Sequence, residues 1–406
     1  MSQPFTLGVN YWPGRKAMGW WRAFDPGEVR ADFAVMHDLG LDVARVFLLW
    51  DDFQPEPERV SISALRHLEQ VCDLAVDHHL SLDVTFFVGH MSGPNWPPRW
   101  LLGGDGYPSP AVRQVVVDGW PVHGGYRNMF SDGAARQAAR LLVEAVVSAL
   151  RDHPGVGLWN LGNEPDLFAW PPDAAAGSAW VAGLAALIRG LGAVQPITCG
   201  LHLDDLLSDT GLRVHDVYAE TDVAVMHAYP MYSSVAREPL DPDFVPFSCV
   251  LTSALCGRPV LMEEFGGPTM PPDLPSAVWS WEAYGKPRSQ FMAGEQEFAA
   301  YMEAVLPRLV QAGATGAMLW CFSDYHPDLW NQPPCDEARH ERHFGMLRTD
   351  GTLKPHTEVI RRFAASHPQV LNDPPRRFTL DVTPEEYYRD PAAHFARLYQ
   401  VYLGQS

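Results

Sequence analysis

Gly155-Val-Gly-Leu-Trp159-Asn160-Leu-Gly-Asn163-Glu164-Pro165-Asp166 is the stretch from which the rest of the chain is read. Its apolar run, Val156 to Leu161, stops abruptly at Asn-Glu-Pro. Runs of this length, closed by Gly and followed by Pro, read as a buried strand entering a loop. Asn163 and Glu164 then stand at the strand's carboxyl end, where parallel α/β folds collect their chemistry. An Asn-Glu pair alone carries little. A second stretch gives it weight: Arg258-Pro-Val-Leu-Met262-Glu263-Glu264-Phe265-Gly266 is another apolar run that ends in acid and then Gly. Two strands, each presenting a Glu at its C-terminal end, make a candidate catalytic pair.

Outward from Gly155 the same rhythm recurs. Residues 5–10 read as a first strand that delivers Asn10, Tyr11 and Trp12 into a loop with Trp20 and Trp21. Asp25-Pro26-Gly27-Glu28 opens a helix, with Val29, Phe33, Met36 and Leu39 at helical spacing and Gly40 as its stop. Residues 42–49 form a strand with Arg45 in its middle, a costly burial unless the guanidinium meets an acid. A helix through Leu65, Leu68, Cys72 and Ala75 leads to a strand at 81–88, which ends at Gly89-His90. Residues 91–130 are long, irregular and rich in Gly, Pro and Trp, and read as a functional wall carrying Trp96, Trp100 and Trp120. Helix 132–151 precedes the opening stretch.

Downstream come helix 173–191, strand 196–200 leading to His202, short helical pieces at 204–216, and strand 222–230 with His227 and Tyr229 at its end. Helix 242–256 precedes the Glu264 strand, and a loop at 267–292 holds Trp279 and Trp281. Helix 294–312, strand 316–322 with Trp320, and helix 355–364 complete the series. Eight strands alternating with helices predict an α/β fold with right-handed crossovers, closed as a (β/α)8 TIM barrel. The expected division is a catalytic barrel over residues 1–366 and a C-terminal extension, 367–406, packed on it.

A chain of 406 residues fits one such barrel with insertions, since the fold takes ~250 residues and grows past 400. The net charge of −19 excludes nucleic acid as a partner, because no basic stripe is present to neutralise phosphates. Fourteen Trp, several in loops beside Pro, Gly and Asn, suit a surface that meets the flat faces of sugars. Cys72, Cys199 and Cys321 lie in apolar patterns and are expected as buried free thiols. No run of about 18 apolar residues predicts a membrane span. The N-terminus lacks a basic and apolar leader, so a soluble, cytoplasmic protein is expected. His340-Glu-Arg-His343 lacks the His-Glu-x-x-His spacing and Cys335 has no partner at ligand spacing, so no metal is expected. No phosphate-cradling Gly-rich loop follows a strand, and no cofactor is expected.

With the barrel closed, the strand ends gather Arg45, Asn163, Glu164, His227, Tyr229, Glu264 and Trp320. Two carboxylates across a barrel mouth suit glycosidic cleavage: one protonates the leaving oxygen while the other attacks the anomeric carbon. Arg45 beside Glu264 would keep the nucleophile ionised, Asn163 would bond the sugar 2-hydroxyl, and Trp320 offers a platform. Adjacent strand residues point to opposite faces, so only one of Glu263 and Glu264 is expected to face the mouth.

Asn163-Glu164-Pro165, His227-Ala-Tyr229, Glu264-Phe-Gly and Trp320 together resemble glycoside hydrolase clan A, nearest family 5, the cellulases and mannanases. The resemblance runs from about residue 5 to 365. It implies Glu164 as acid/base and Glu264 as nucleophile of a retaining enzyme. It also implies Arg45, Asn163, His227, Tyr229 and Trp320 as substrate-site residues, with His90 standing near the clan's strand-three position. Trp12 and Trp96 are added as candidate sugar-binding rings. The expected activity is a retaining β-glycosidase on β-mannoside or β-glucoside oligosaccharides. A transglycosylase with the same intermediate and a non-catalytic carbohydrate-binding barrel are the alternatives.

Overall fold

The computed structural model describes residues 3–104, 106–376 and 379–404. Eight parallel strands form one sheet: β1 (Thr6–Asn10), β2 (Val43–Leu49), β3 (Ser81–Val88), β4 (Val156–Asn163), β5 (Ile197–Gly200), β6 (Ala224–His227), β7 (Val260–Gly266) and β8 (Gly316–Trp320). Neighbours in sequence pair with each other, and β1 pairs with β8. A bridge between His202 and His227 joins the ends of β5 and β6, so the sheet closes as a (β/α)8 barrel.

One helix follows each strand: α1 (Pro26–Asp38), α2 (Ile62–Asp77), α3 (Gly133–Leu150), α4 (Ala174–Gly190), α5 (Val214–Glu220), α6 (Phe244–Cys256), α7 (Glu295–Gln311) and α8 (Pro355–Ala365). Local chemistry starts several of them. Asp25, Ser61, Asp132 and Asp173 each accept a backbone N–H of the first turn, satisfying donors that a helix start leaves free. Gly40, at φ +76°, takes the left-handed position just past α1. The strands are buried on both faces, as a sheet covered by helices outside and filled by side chains inside requires.

The filling is not wholly apolar. Asn10, Arg45 and Asp83 sit in register on β1, β2 and β3, all fully buried, and Thr85 and Asn160 pair one step further along. The barrel therefore encloses a polar layer directly beneath its C-terminal mouth.

Two expected loops contain structure. Residues 267–292 fold into an antiparallel hairpin of Ala277–Ala283 and Lys286–Met292. Its two-residue turn is Tyr284-Gly285, both with positive φ, which matches the twist of paired strands. The Asn-Gly or Asp-Gly signal that betrays such turns is missing, so the stretch reads as a loop. Within 91–130, Val115–Val117 pairs with Trp120–Val122.

Helix α9 (Pro391–Leu403) packs on α6, with Phe395 and Tyr399 against Phe244 and Phe247. Tyr399 donates to Asp241 at 2.6 Å, and Tyr387 and Tyr388 donate to the Leu206 and Asp205 carbonyls beyond β5. Cys72, Cys199 and Cys321 are buried free thiols. No helix among the described residues is long and apolar enough to cross a membrane.

Candidate active site

The barrel mouth holds a cavity of about 440 Å³ lined by His90, Asn163, Glu164, His227, Tyr229, Glu264 and Trp320, among others. Each stands at or just beyond the end of a strand, so separate segments of sequence converge because the strands run parallel. Glu164 takes a left-handed backbone, φ 47° and ψ 58°, which turns the chain from β4 into the short helix Pro165–Phe168. That conformation is uncommon and costly for a residue with a Cβ, and such strain clusters at functional sites.

Arg45 lies under the cavity, fully buried, and organises its floor. Its Nη1 donates to Glu264 Oε1 at 2.6 Å and to Asn10 Oδ1 at 3.2 Å. Its Nη2 donates to Asn163 Oδ1 at 3.1 Å and lies 3.3 Å from Glu263 Oε2. Its Nε donates to Thr85 at 2.9 Å. Tyr229 donates to the second oxygen of Glu264 at 2.9 Å. Asn163 gives one amide hydrogen to the His90 carbonyl at 3.2 Å, leaving the other for a ligand. The His227 ring bridges the acids: Nδ1 lies 3.0 Å from Glu164 and 3.6 Å from Glu264, and Nε2 lies 2.9 Å from Glu263.

Of the two adjacent acids only Glu264 lines the cavity, as expected, but Glu263 does not follow strand alternation. It points into the barrel together with Glu264, one layer deeper and outside the cavity lining. The cause is an irregularity in β7: Met226 and His227 on β6 face Met262 and Glu264, so Glu263 is an extra residue. The β8 register slips at the same place. Such a bulge re-aims side chains and is frequent beside active sites.

The electrostatics follow from this packing. Burial would depress His227, but Glu264, Glu164 and Glu263 around it carry it up to about 9. Burial pushes Glu263 up, and Arg45 and His227 bring it down to about 2. Glu164 also feels burial, yet His202 and His227 hold it below the usual carboxylate range. Glu264 is raised by burial, against His227 and Arg45. Between Glu164 and Glu264 the geometry favours Glu264 as the lasting anion. Its closest cation is a guanidinium that stays charged, whereas the ring facing Glu164 is itself titratable. Glu164 and His227 thus share one proton, held on the ring. His90 is pushed down to about 4 by burial and Arg113 and is neutral.

Trp12 and Trp96 do not line the cavity, contrary to expectation. Trp12 is fully buried and stacks on Phe47 at 5.0 Å; Phe47 in turn meets Trp320 edge-on and lies under the Arg45 guanidinium. Trp96 is 7% exposed and donates to the carbonyl of Met91, a residue of the cavity wall. Both rings support the cleft from behind. From 91–130 the cavity receives Met91, Ser92, Gly93 and Arg113, and none of that stretch's Trp residues.

Sequence reading missed one group and ranked another low. His202, a weaker candidate expected as a structural or rim residue, lines the cavity and pairs with Asp166 at 2.9 Å. Glu341, in the single-turn helix Arg339–His343 beyond β8, lines it beside Trp320, whose indole N–H lies 3.3 Å from Glu341 Oε2. No strand leads into Glu341, so periodicity carries no sign of it. Among the described residues two donor sets lie close enough to share a cation, Glu164–His227–Glu264 and Asp166–His202–Asp205. In both, the imidazole already bonds a carboxylate.

Solved structures with this architecture include the exo-β-1,4-mannosidase Op5Man5 from Opitutaceae bacterium strain TAV5, at 24% identity and a TM-score of 0.71. The match covers 90% of this chain and 60% of that one, so the chain spans well under two thirds of that enzyme's length. A GH5_18 protein from Streptomyces cattleya in complex with GlcNAc superposes with a TM-score of 0.78 at 19% identity, covering 100% and 92%. The chain has a GH5-like fold. The endo-β-1,4-mannanase from Thermotoga petrophila has the same GH5-like barrel, at 15% identity, 91% and 77% coverage and a TM-score of 0.61. No family model matches the chain, and no curated protein does.

Proposed function

We propose that the chain is a retaining β-glycoside hydrolase acting on β-linked hexosides, with β-mannosides ahead of β-glucosides. One separation carries the reading: an oxygen of Glu164 lies within 4.8 Å of one of Glu264. Retaining enzymes hold their two carboxyls about 5–5.5 Å apart, whereas inverting enzymes leave roughly 6.5–9.5 Å for a water.

In the first step Glu264 attacks the anomeric carbon and the glycosidic bond breaks. The leaving oxygen takes the bond's electron pair and a proton from Glu164, which draws that proton from His227 along their 3.0 Å contact. In the second step water attacks the same carbon and displaces Glu264, while Glu164 accepts the water's proton and returns it to the ring. Arg45 and Tyr229 hold Glu264 in place and balance its charge.

Support for mannosides comes from neighbours of the same fold, an exo-β-1,4-mannosidase and GH5_18 structures that include a complex with Manβ1-4GlcNAc. Support for short substrates comes from the cavity wall: a Cβ on Gly93 would lie 3.6 Å from Ala338 Cβ, so loops after β3 and β8 meet over one side. In this reading residues 1–366 carry the chemistry and 367–406 brace the barrel.

The test is hydrolysis of aryl β-D-glycosides (manno, gluco, galacto, xylo), with anomeric configuration followed by NMR and Glu264→Gln alongside. Retention that disappears in the variant supports the reading, and inversion rejects it. Products dominated by glycosyl transfer at high substrate would make the protein a transglycosylase. Sugar binding without turnover in either form would make it a binding barrel.

A further inference from the structure

Glu341 lines the same cavity as Glu164 and Glu264 but takes no part in the double displacement. It is 8% exposed and sits against Trp320, the ring that walls the cavity at the end of β8. Among the described residues its one ion-pair neighbour is His340, at 3.5 Å. Burial and the adjacent His343 push that imidazole down to about 4, so it brings no charge. A carboxylate offers about four acceptor positions. The Trp320 indole occupies one of them, at 3.3 Å, and the Ser92 hydroxyl stands beside another. The structure therefore holds a buried carboxyl with spare acceptors, no lysine or arginine among the described residues to neutralise it, and a flat aromatic face beside it. Buried acceptors left without donors are costly, so such a group fits a ligand that brings its own.

We propose that Glu341 is a glycone-selecting residue, whose carboxylate accepts hydrogen bonds from free hydroxyls of the sugar seated against Trp320, away from the anomeric carbon. The inference rests on the hydrolase reading of this cleft and adds a requirement to it. The sugar must present hydroxyl donors at this end, which a terminal residue does and a residue substituted there does not. Glu341 also orients the Trp320 ring through the indole N–H, so platform and hydroxyl recognition form one unit.

The test is a cycle between protein and substrate. Aryl β-mannoside and its 3-, 4- and 6-deoxy analogues are assayed with wild type, Glu341→Gln and Glu341→Ala, with thermal melts to establish that each variant is folded. In wild type, removal of a contacted hydroxyl is expected to lower kcat/KM about 10- to 100-fold. Glu341→Ala is expected to lose a similar factor with the parent glycoside and nothing further with that deoxy analogue. An equal deoxy penalty in wild type and Glu341→Ala would overturn the proposal, as would parent turnover at the wild-type rate. Glu341→Gln keeps an acceptor for the indole, so a purely structural role predicts the same small loss with every analogue. If wild type turns over none of the glycosides, the hydrolase reading fails on its own. Calorimetric binding of the methyl glycosides then reads the same cycle, with the same outcomes for and against.

Discussion

Arg45 reaches from β2 across the barrel and places Nη1 2.6 Å from Glu264 Oε1, at the end of β7. The guanidinium is fully buried and also lies 3.3 Å from Glu263 and 3.9 Å from Asp83. Burial and the Glu263 charge push Asp83 well above the ordinary range, so it is protonated and adds no anion. The arrangement positions Glu264 and holds it charged. It also makes the floor of the barrel depend on two buried cations, this guanidinium and the His227 ring.

Arg45→Met would strand Glu263 and Glu264 without their guanidinium. Breaking a buried pair from one side costs about 3–5 kcal/mol, so denaturant unfolding should show a loss of that order. Arg45→Lys keeps the charge but not the fork that serves Asn163, Asn10 and Thr85, and should lose less stability yet much of the activity.

Replacing the proposed acid, Glu164, and the proposed nucleophile, Glu264, should have different signatures. Glu164→Gln is expected to lower kcat by about 10²–10⁴-fold for sugar leaving groups, because a general acid supplies that factor. Nitrophenyl leaving groups need less proton assistance and should lose less in the first step. Glu264→Gln should abolish turnover with every leaving group. Steady-state and burst kinetics on the two substrate types check this.

The pH profile should carry an alkaline limb near 9. Below that pH the Glu164–His227 pair holds its proton, and above it the proton is lost and the acid with it. Stability follows the same sign. The folded-state pKa of His227 is raised, so its contribution is fully present below the unfolded value, about 6.5, and disappears as pH rises through 9. Melting temperature should fall between pH 7 and 10 in wild type, and less steeply in His227→Asn.

Glu341 adds a limb of its own. Burial pushes it up to about 7; Ser92 and Trp320 beside it oppose that, and the charges of Glu264 and Glu164 reinforce it. Only the ionised form offers its full set of acceptors, so kcat/KM should rise through pH 7 in wild type. A Glu341→Gln profile that kept this limb would assign it elsewhere.

The C-terminal segment is expected to be required for folding. Deleting residues 380–404 would uncover Phe244 and Phe247 and leave Asp241 without the Tyr399 hydroxyl. Tyr399→Phe alone should cost about 1 kcal/mol, the net value of one hydrogen bond. Solubility of the truncated chain and thermal unfolding of the point variant are the measurements.

The sequence by itself determined the alternation of eight strands and helices and the positions of Glu164 and Glu264. Those features are local: apolar runs have a strand's or a helix's period, and Gly, Pro and capping residues mark their ends. It also pointed Arg45 at an acid, because a charge inside an apolar strand needs a partner. Which acids it meets was a tertiary matter, since Arg45 and Glu264 are 219 positions apart and meet only when the sheet closes. Closure also decided that a bulge at Glu263 turns two adjacent carboxylates inward, against the alternation a regular strand obeys. It placed Trp12 and Trp96 behind the cleft, and it carried Glu341 to Trp320 on a turn without periodicity. Local patterning sets where a strand begins and ends; the direction in which an end residue points depends on the register of the strands beside it.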